Sequence, residues 1–199
     1  MEETKFNIII VDGAKGEEDS FIAELKFQYV DTADVSCFIQ TDGAMSFIEE
    51  HLSERMVIIM IDKLGSSFIE SAIKVRGNNS LVPIIISTDN ISKLSSKDVM
   101  TMINTENFFI INNSDIIGAK EIIDRIRYQW IFRFDNILEQ WLIRHPEDNS
   151  KEAFSEASTG KTYTWEDILV ELRKQTPVGK SFEQMLNEYY IYQLNRSKK

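Results

Sequence analysis

The run Met56-Val57-Ile58-Ile59-Met60-Ile61, followed directly by Asp62, is the stretch of the 199-residue sequence on which the fold prediction rests. Six consecutive apolar residues without polar alternation are typical of a strand that is buried on both faces of a parallel sheet. Four further runs of this kind occur at Phe6–Val11, Val35–Ile39, Val82–Ser87 and Phe108–Ile111. Segments with helical apolar spacing separate them. The alternation predicts an α/β fold with a doubly wound, five-stranded parallel sheet.

The fifth helix of this pattern is expected to be unusually long. Apolar residues recur at helical spacing from Ile116 to Leu142, before His145-Pro146 ends the pattern. One continuous helix of about 28 residues would be roughly 42 Å long. This is more than a compact domain ending near residue 130 can cover. We therefore expect its second half to be buried by the C-terminal segment or by a second copy of the chain.

The C-terminal segment is predicted to be a helical hairpin. Thr164 and Asp167 have the spacing of a capping box and precede an apolar helical face. Thr176-Pro177 is expected to end that helix, and the next helix is expected to begin at Ser181. The predicted organisation is an α/β domain over residues 1–130, followed by the extended helix and a C-terminal helical segment over residues 131–199.

Composition excludes several classes of function. The formal net charge of −10 disfavours binding to nucleic acid or to an anionic membrane, because phosphate contacts need clustered lysine and arginine. Cys37 is the single cysteine, and His51 and His145 are the two histidines, so no disulfide, histidine metal site or catalytic triad is predicted. The acidic start and the short first apolar run predict no signal peptide, and no run could cross a bilayer. We expect a cytoplasmic protein.

The candidate site lies where the predicted strands end. Functional residues of doubly wound folds are found at the carboxyl ends of the strands. In this sequence those positions are Asp12, Asp62, Thr88 and Asn112. Two carboxylates held close together perturb each other's ionisation, so Asp12 and Asp62 rank first as site residues.

At these residues the sequence resembles the receiver domain of bacterial response regulators, over about residues 5–130. The shared features are Val11-Asp12-Gly13, the lone Asp62, the run PIIIST that ends at Thr88, and the aromatic Phe109. The resemblance implies a flavodoxin-like fold, a phosphoryl group accepted by Asp62 and Mg²⁺ held by Asp12 with Asp62. It also implies a switch role for Thr88 and Phe109, and a histidine kinase as partner in a two-component phosphorelay.

The sequence departs from the receiver pattern at two places. Gly13 follows Asp12 where the family has a second carboxylate, and this weakens the expected Mg²⁺ site. Asn112-Asn113 replaces the lysine and proline of the fifth strand. A neutral amide cannot offset the charge that develops on a transferring phosphoryl group. Nearby charges that could compensate are the cations of Lys15 and Lys63 and the carboxylates of Glu17, Glu18 and Asp19.

These residues predict an atypical receiver, with an eroded phosphoacceptor site at Asp62, that signals through contacts with other proteins. It would have no enzymatic activity beyond, at most, its own phosphorylation, and no cofactor except possible Mg²⁺. A homodimer through the long fifth helix is one expected partner arrangement. Alternatives are a functional Mg²⁺-dependent phosphoacceptor, a DNA-binding regulator using helices at 164–175 and 181–195, and an unrelated flavodoxin-like enzyme or nucleotide binder.

Overall fold

The computed structural model describes most of the chain. The described residues are 5–12, 19–61, 68–89, 91–105, 107–113, 115–157 and 159–196. Within these ranges, the side chains of eight residues are not described: Asp12, Phe68, Ile69, Asn78, Lys93, Asp98, Ile103 and Leu194. The chain divides into two compact units, Met1–Trp130 and Ile131–Lys199.

The first unit contains a five-stranded sheet in which every paired strand is parallel. The strands are β1 (Phe6–Asp12), β2 (Ala33–Phe38), β3 (Met56–Ile61), β4 (Ile84–Thr88) and β5 (Phe108–Asn112). Their order in the sheet is β2-β1-β3-β4-β5. The connecting helices are α1 (Ser20–Gln28), α2 (Thr41–Glu50), α3 (Phe68–Asn78), α4 (Ser96–Ile103) and α5 (Ile116–Trp130). The predicted doubly wound, flavodoxin-like α/β fold is confirmed.

The sheet is buried on both faces, as its apolar runs predict. Successive side chains of a strand point to opposite faces, so Ile8 and Ile10 pack into one hydrophobic cluster and Ile9 and Val11 into another. All six residues of β3, the central strand, are buried. The two clusters hold the sheet between its two layers of helices. Because all five strands are parallel, their carboxyl ends lie at one common edge.

The prediction of one long fifth helix is wrong. Helix α5 ends at Trp130, and a separate helix, α6, spans Phe134–Arg144. Arg133 caps α6 with an extended backbone, at φ −86° and ψ 132°. The apolar residues on the two sides of the break belong to different cores: Trp130 packs against Phe6, whereas Leu138 belongs to the core of the second unit. Helical periodicity continued across the break because both helices are amphipathic.

The second unit is small and has its own core. It contains α6, an antiparallel pair of strands β6 (Glu152–Ser155) and β7 (Thr162–Thr164), and helices α7 (Trp165–Lys174) and α8 (Pro177–Arg196). Phe134 and Trp141 pack against its hydrophobic cluster, so the C-terminal segment does bury these residues of the predicted long helix, as one of the two expectations had it. Ile131 and Ile137 remain exposed. The two short strands differ from the sequence prediction, which has only helices in this segment.

The boundaries of α7 and α8 follow from local hydrogen bonds. Thr164 and Asp167 form the predicted capping box at the start of α7. Helix α8 begins at Pro177, four residues before the expected start at Ser181. The Thr176 hydroxyl accepts a hydrogen bond from the Gly179 amide at 3.2 Å, which makes it the cap, and proline is well suited to the first helical position. Among the described helices, none has the length and hydropathy to cross a membrane.

Candidate functional site

The candidate site is the edge of the sheet at which the strands end. Asp12, the last residue of β1, pairs with Ile61 at the end of β3. Thr88, at the end of β4, pairs with Asn112 at the end of β5. Because all these strands are parallel and β3 lies between β1 and β4, the backbones of Asp12, Thr88 and Asn112 reach the same edge.

The acidic part of the predicted site is only partly described. Asp62 lies outside the described residues, as does the side chain of Asp12. The expected phosphoacceptor and Mg²⁺ roles of these two carboxylates therefore stay predictions. The part of the chain that the structure describes contains no group of three histidine, cysteine, aspartate or glutamate residues placed to hold a metal ion.

The compensating charges suggested by the sequence have different outcomes. Asp19 is the N-cap of α1, and its carboxylate accepts a hydrogen bond from the Phe21 amide at 2.9 Å. This interaction satisfies an amide that the helix itself leaves unpaired. The structural role of Asp19 is therefore that of a helix cap. Lys15, Glu17, Glu18 and Lys63 lie outside the described residues.

Thr88 and Asn112 differ in burial although they are neighbours in the sheet. Thr88 is 1% exposed, whereas the side chain of Asn112 is exposed. The Asn113 amide donates a hydrogen bond to the Thr88 carbonyl at 3.2 Å, which continues the pairing of β4 and β5 beyond the last strand residues. Asn112, which by resemblance corresponds to the lysine of receiver domains, thus has its side-chain amide exposed to solvent.

A polar bridge that sequence reasoning missed connects the ends of β4 and β5. The buried hydroxyl of Ser87 donates to Asn113 Oδ1 at 3.2 Å, and Asn113 Nδ2 donates to Asp89 Oδ2 at 3.2 Å. Proline, which the family has at the position of Asn113, has no side-chain donor or acceptor and no backbone N–H. The substitution of asparagine was the available signal, because only a residue with both kinds of group can form this bridge.

Phe109 lies in β5 opposite Ile85, three residues before Asn112. Its half-buried ring packs against the hydrophobic cluster that contains Ile8 and Ile10. The Arg125 guanidinium carbon lies 5.1 Å from the ring centroid, within the range of a cation–π interaction. Both contacts stabilise the observed position of the ring. The switch role of Phe109 with Thr88 stays a prediction.

The second unit contains a buried group of charges that the sequence analysis also missed. Arg173, which is 2% exposed, lies 3.4 Å from Asp135 and 3.5 Å from Glu139, and Arg133 lies 3.0 Å from Asp135. Burial lowers the pKa of Arg173, and the two carboxylates oppose this effect. Arg173 follows Leu169 by four residues and so falls beside the apolar face of α7, which was the available signal. The paired charges join α6 to α7.

Comparisons with known proteins leave the family open. No family model matches the chain, and no curated protein matches it. Among solved structures, it is similar to a yeast Spc42 trimeric coiled coil fused to another protein, with 14% sequence identity. The similarity covers 74% of this chain and 95% of that chain, with a TM-score of 0.44. A likeness at this level supports no functional argument.

Proposed function

We propose that the first unit is an atypical receiver domain that signals in the cytoplasm by binding other proteins, with a phosphoacceptor site that is largely inactive. The observation that carries this proposal is the polar bridge of Ser87, Asn113 and Asp89 at the edge of the sheet, which contains no cation. In the receiver pattern, a lysine and a proline stand at Asn112 and Asn113.

The chemistry of phosphoryl transfer favours an inactive site. Transfer to a carboxylate builds negative charge on the phosphoryl oxygens, and a positioned cation stabilises that charge. Asn112 is neutral and exposed, and Asn113 is engaged with Ser87 and with the carboxylate of Asp89. The strand-five side chains therefore add no positive charge, and Asp89 adds a further negative one.

The surface of the unit is compatible with signalling by contact. By resemblance, receivers bind partners through the face formed by α4, β5 and α5. Met100 on α4 and Ile117 on α5 are exposed, and neither belongs to the hydrophobic clusters. Exposed apolar side chains at a surface of this kind support binding to another protein.

Phosphorylation tests the proposal directly. The full chain is incubated with Mg²⁺ and acetyl phosphate, and its intact mass is compared with that of Asp62→Asn. We expect no stoichiometric addition of a phosphoryl group to the wild type. We also expect Asn112→Lys, which restores the strand-five cation, to increase labelling. Stoichiometric labelling of the wild type that is lost in Asp62→Asn would establish the functional phosphoacceptor instead.

A further inference from the structure

Asn113 binds three consecutive residues at the end of β4. Its backbone N–H donates to the Thr88 carbonyl, its side-chain Oδ1 accepts from the Ser87 hydroxyl, and its Nδ2 donates to Asp89 Oδ2, each at 3.2 Å. The two side-chain bonds are the polar bridge. Ser87 is fully buried, so the loss of Asn113 would remove the acceptor of a buried hydroxyl, which costs more than the loss of an exposed contact.

The carboxylate of Asp89 fixes the orientation of the polar bridge. A carboxylate only accepts hydrogen bonds, so it selects the Nδ2 side of the Asn113 amide. Asn113 Oδ1 then faces Ser87, whose hydroxyl supplies the donor. The three side chains thus form one directed chain of hydrogen bonds, and an amide at position 113 matches both of its neighbours.

The polar bridge connects the chain that enters α4 to the chain that enters α5. Residues 89–95 join β4 to α4. Near its far end this segment is held by Leu94, which is buried in one of the two hydrophobic clusters of the sheet. Its near end is held by the hydrogen bond from Asn113 to Asp89, and α5 begins at Ile116. Both ends of the segment are therefore attached to the body of the first unit.

We propose that the polar bridge holds the surface of α4 and α5 in one preformed arrangement, so that a partner protein binds it whatever the chemical state of Asp62. This surface carries the exposed side chains of Met100 and Ile117. A preformed surface binds without the cost of ordering its loops. The inference names the regulation of the proposed partner surface, and for that role it rests on the proposed function. Binding is then constitutive, because no reaction at Asp62 is needed to order residues 89–95.

Amide hydrogen exchange of the full chain, measured by mass spectrometry of peptides that cover residues 89–95, tests this inference. Asn113→Ala removes both side-chain bonds and should speed exchange of this segment at least about tenfold. Asn112→Ala, at the exposed neighbouring amide, is the matched control and should leave the exchange rate unchanged. The amides of β3 should stay protected in every variant, which verifies that the sheet remains folded.

A reciprocal exchange of side chains tests the hydrogen bonds themselves. Asn113→Asp keeps an acceptor for Ser87 but places a second carboxylate against Asp89, so exchange of residues 89–95 should again rise about tenfold. Combining it with Asp89→Asn restores a donor opposite the new carboxylate and should return the rate to within about twofold of the wild type. Failure of Asn113→Ala to speed exchange, or of the double variant to restore it, would overturn the inference.

Treatment with a phosphodonor separates this inference from the proposed function. With acetyl phosphate and Mg²⁺, exchange of residues 89–95 in the wild type should change less than about twofold. The intact mass of the same sample reports whether Asp62 is labelled. Labelling without a change in exchange would refute the inactive phosphoacceptor site but support the fixed surface. A larger change in exchange would overturn the fixed surface.

Discussion

At the scale of single residues, the side chains after β4 and β5 decide what the edge of the sheet can do. Asn113 accepts a hydrogen bond from Ser87 and donates one to Asp89, each at 3.2 Å. These bonds connect the ends of β4 and β5 through the uncharged side-chain amide of Asn113. A lysine at the neighbouring position would bring a mobile positive charge instead. Asn112 and Asn113 thus contribute neutral amides at the end of β5, and the Asn113 amide forms a fixed polar bridge.

Tyr29 provides a pH-dependent test of packing in the first unit. Its hydroxyl donates to Asp124 Oδ1 at 3.2 Å, and burial first, then the Asp124 charge, raises the pKa of Tyr29 above its ordinary value of 10.0. A raised pKa in the folded state gives stability that is complete below pH 10 and declines as the pH rises above it. We expect Tyr29→Phe to lower the free energy of unfolding by about 1 kcal/mol at pH 7.

The difference between wild type and Tyr29→Phe should shrink above about pH 10. Urea denaturation of both proteins at several pH values between about 7 and 11 measures it. Tyr128→Phe is the matched control, because Tyr128 is exposed on α5. A difference between Tyr29→Phe and wild type that is constant with pH would show that Tyr29 does not titrate as its surroundings imply.

At the scale of secondary-structure elements, the break between α5 and α6 is the largest departure from the sequence prediction. The Arg133 guanidinium binds Asp135 through Nε and Nη2, both at 3.0 Å, where α6 begins. An acidic residue in the first turn also stabilises a helix start. Neither proline nor glycine marks the break. The helical spacing of apolar residues therefore continues across residues 131–133. Only the packing of the flanking residues into two separate cores shows that α5 ends there.

The packing of α7 against α8 depends on Gly179. A Cβ atom at this position would lie 2.2 Å from the Glu171 carbonyl oxygen, which belongs to the backbone and cannot yield easily. We expect Gly179→Ala to destabilise the protein by about 1–3 kcal/mol, since the two helices would have to separate. Chemical denaturation followed by tryptophan fluorescence measures the change, because Trp165 lies beside Phe182 in this core.

Gly77→Ala is the matched control for Gly179→Ala. Gly77 is also helical, and a Cβ at this position meets no heavy atom within 4 Å. Alanine is the better helix former, so the change should be neutral or should stabilise by roughly 0.5–1 kcal/mol. Equal effects of the two substitutions would show that helix propensity, and not the close approach to Glu171, determines the cost at Gly179.

At the scale of the whole molecule, the chain has two compact units with cores built from different residues. The clusters on the two faces of the sheet contain residues up to Trp130, and the third cluster contains only residues from Phe134 onward. The buried charges around Arg173 belong to the second unit alone. A substitution in one core should therefore act first on the unit that contains it.

Calorimetry of core variants tests this independence. Arg173→Met leaves Asp135 and Glu139 without their buried cation and should cost about 3–5 kcal/mol. Ile59→Ala removes a fully buried side chain of β3 and should cost about 2–5 kcal/mol. Ile59→Ala should lower the midpoint temperature of the first unit's transition, and Arg173→Met should lower that of the second unit's transition. Lys180→Met, at an exposed site, should change neither midpoint temperature. A single transition that both core variants shift alike would mean that the two units unfold together.

The amino-acid sequence by itself determined the five strands, the parallel sheet and the capping box at Thr164, because apolar runs and cap residues act locally. Only the tertiary structure decided that α5 ends at Trp130, that Asn113 bridges Ser87 and Asp89, and that Arg173 is buried beside Asp135. Each of these depends on which distant segments pack together. The burial of a side chain and its hydrogen-bond partners are set by that packing. They cannot be read from the periodicity of apolar residues along the chain.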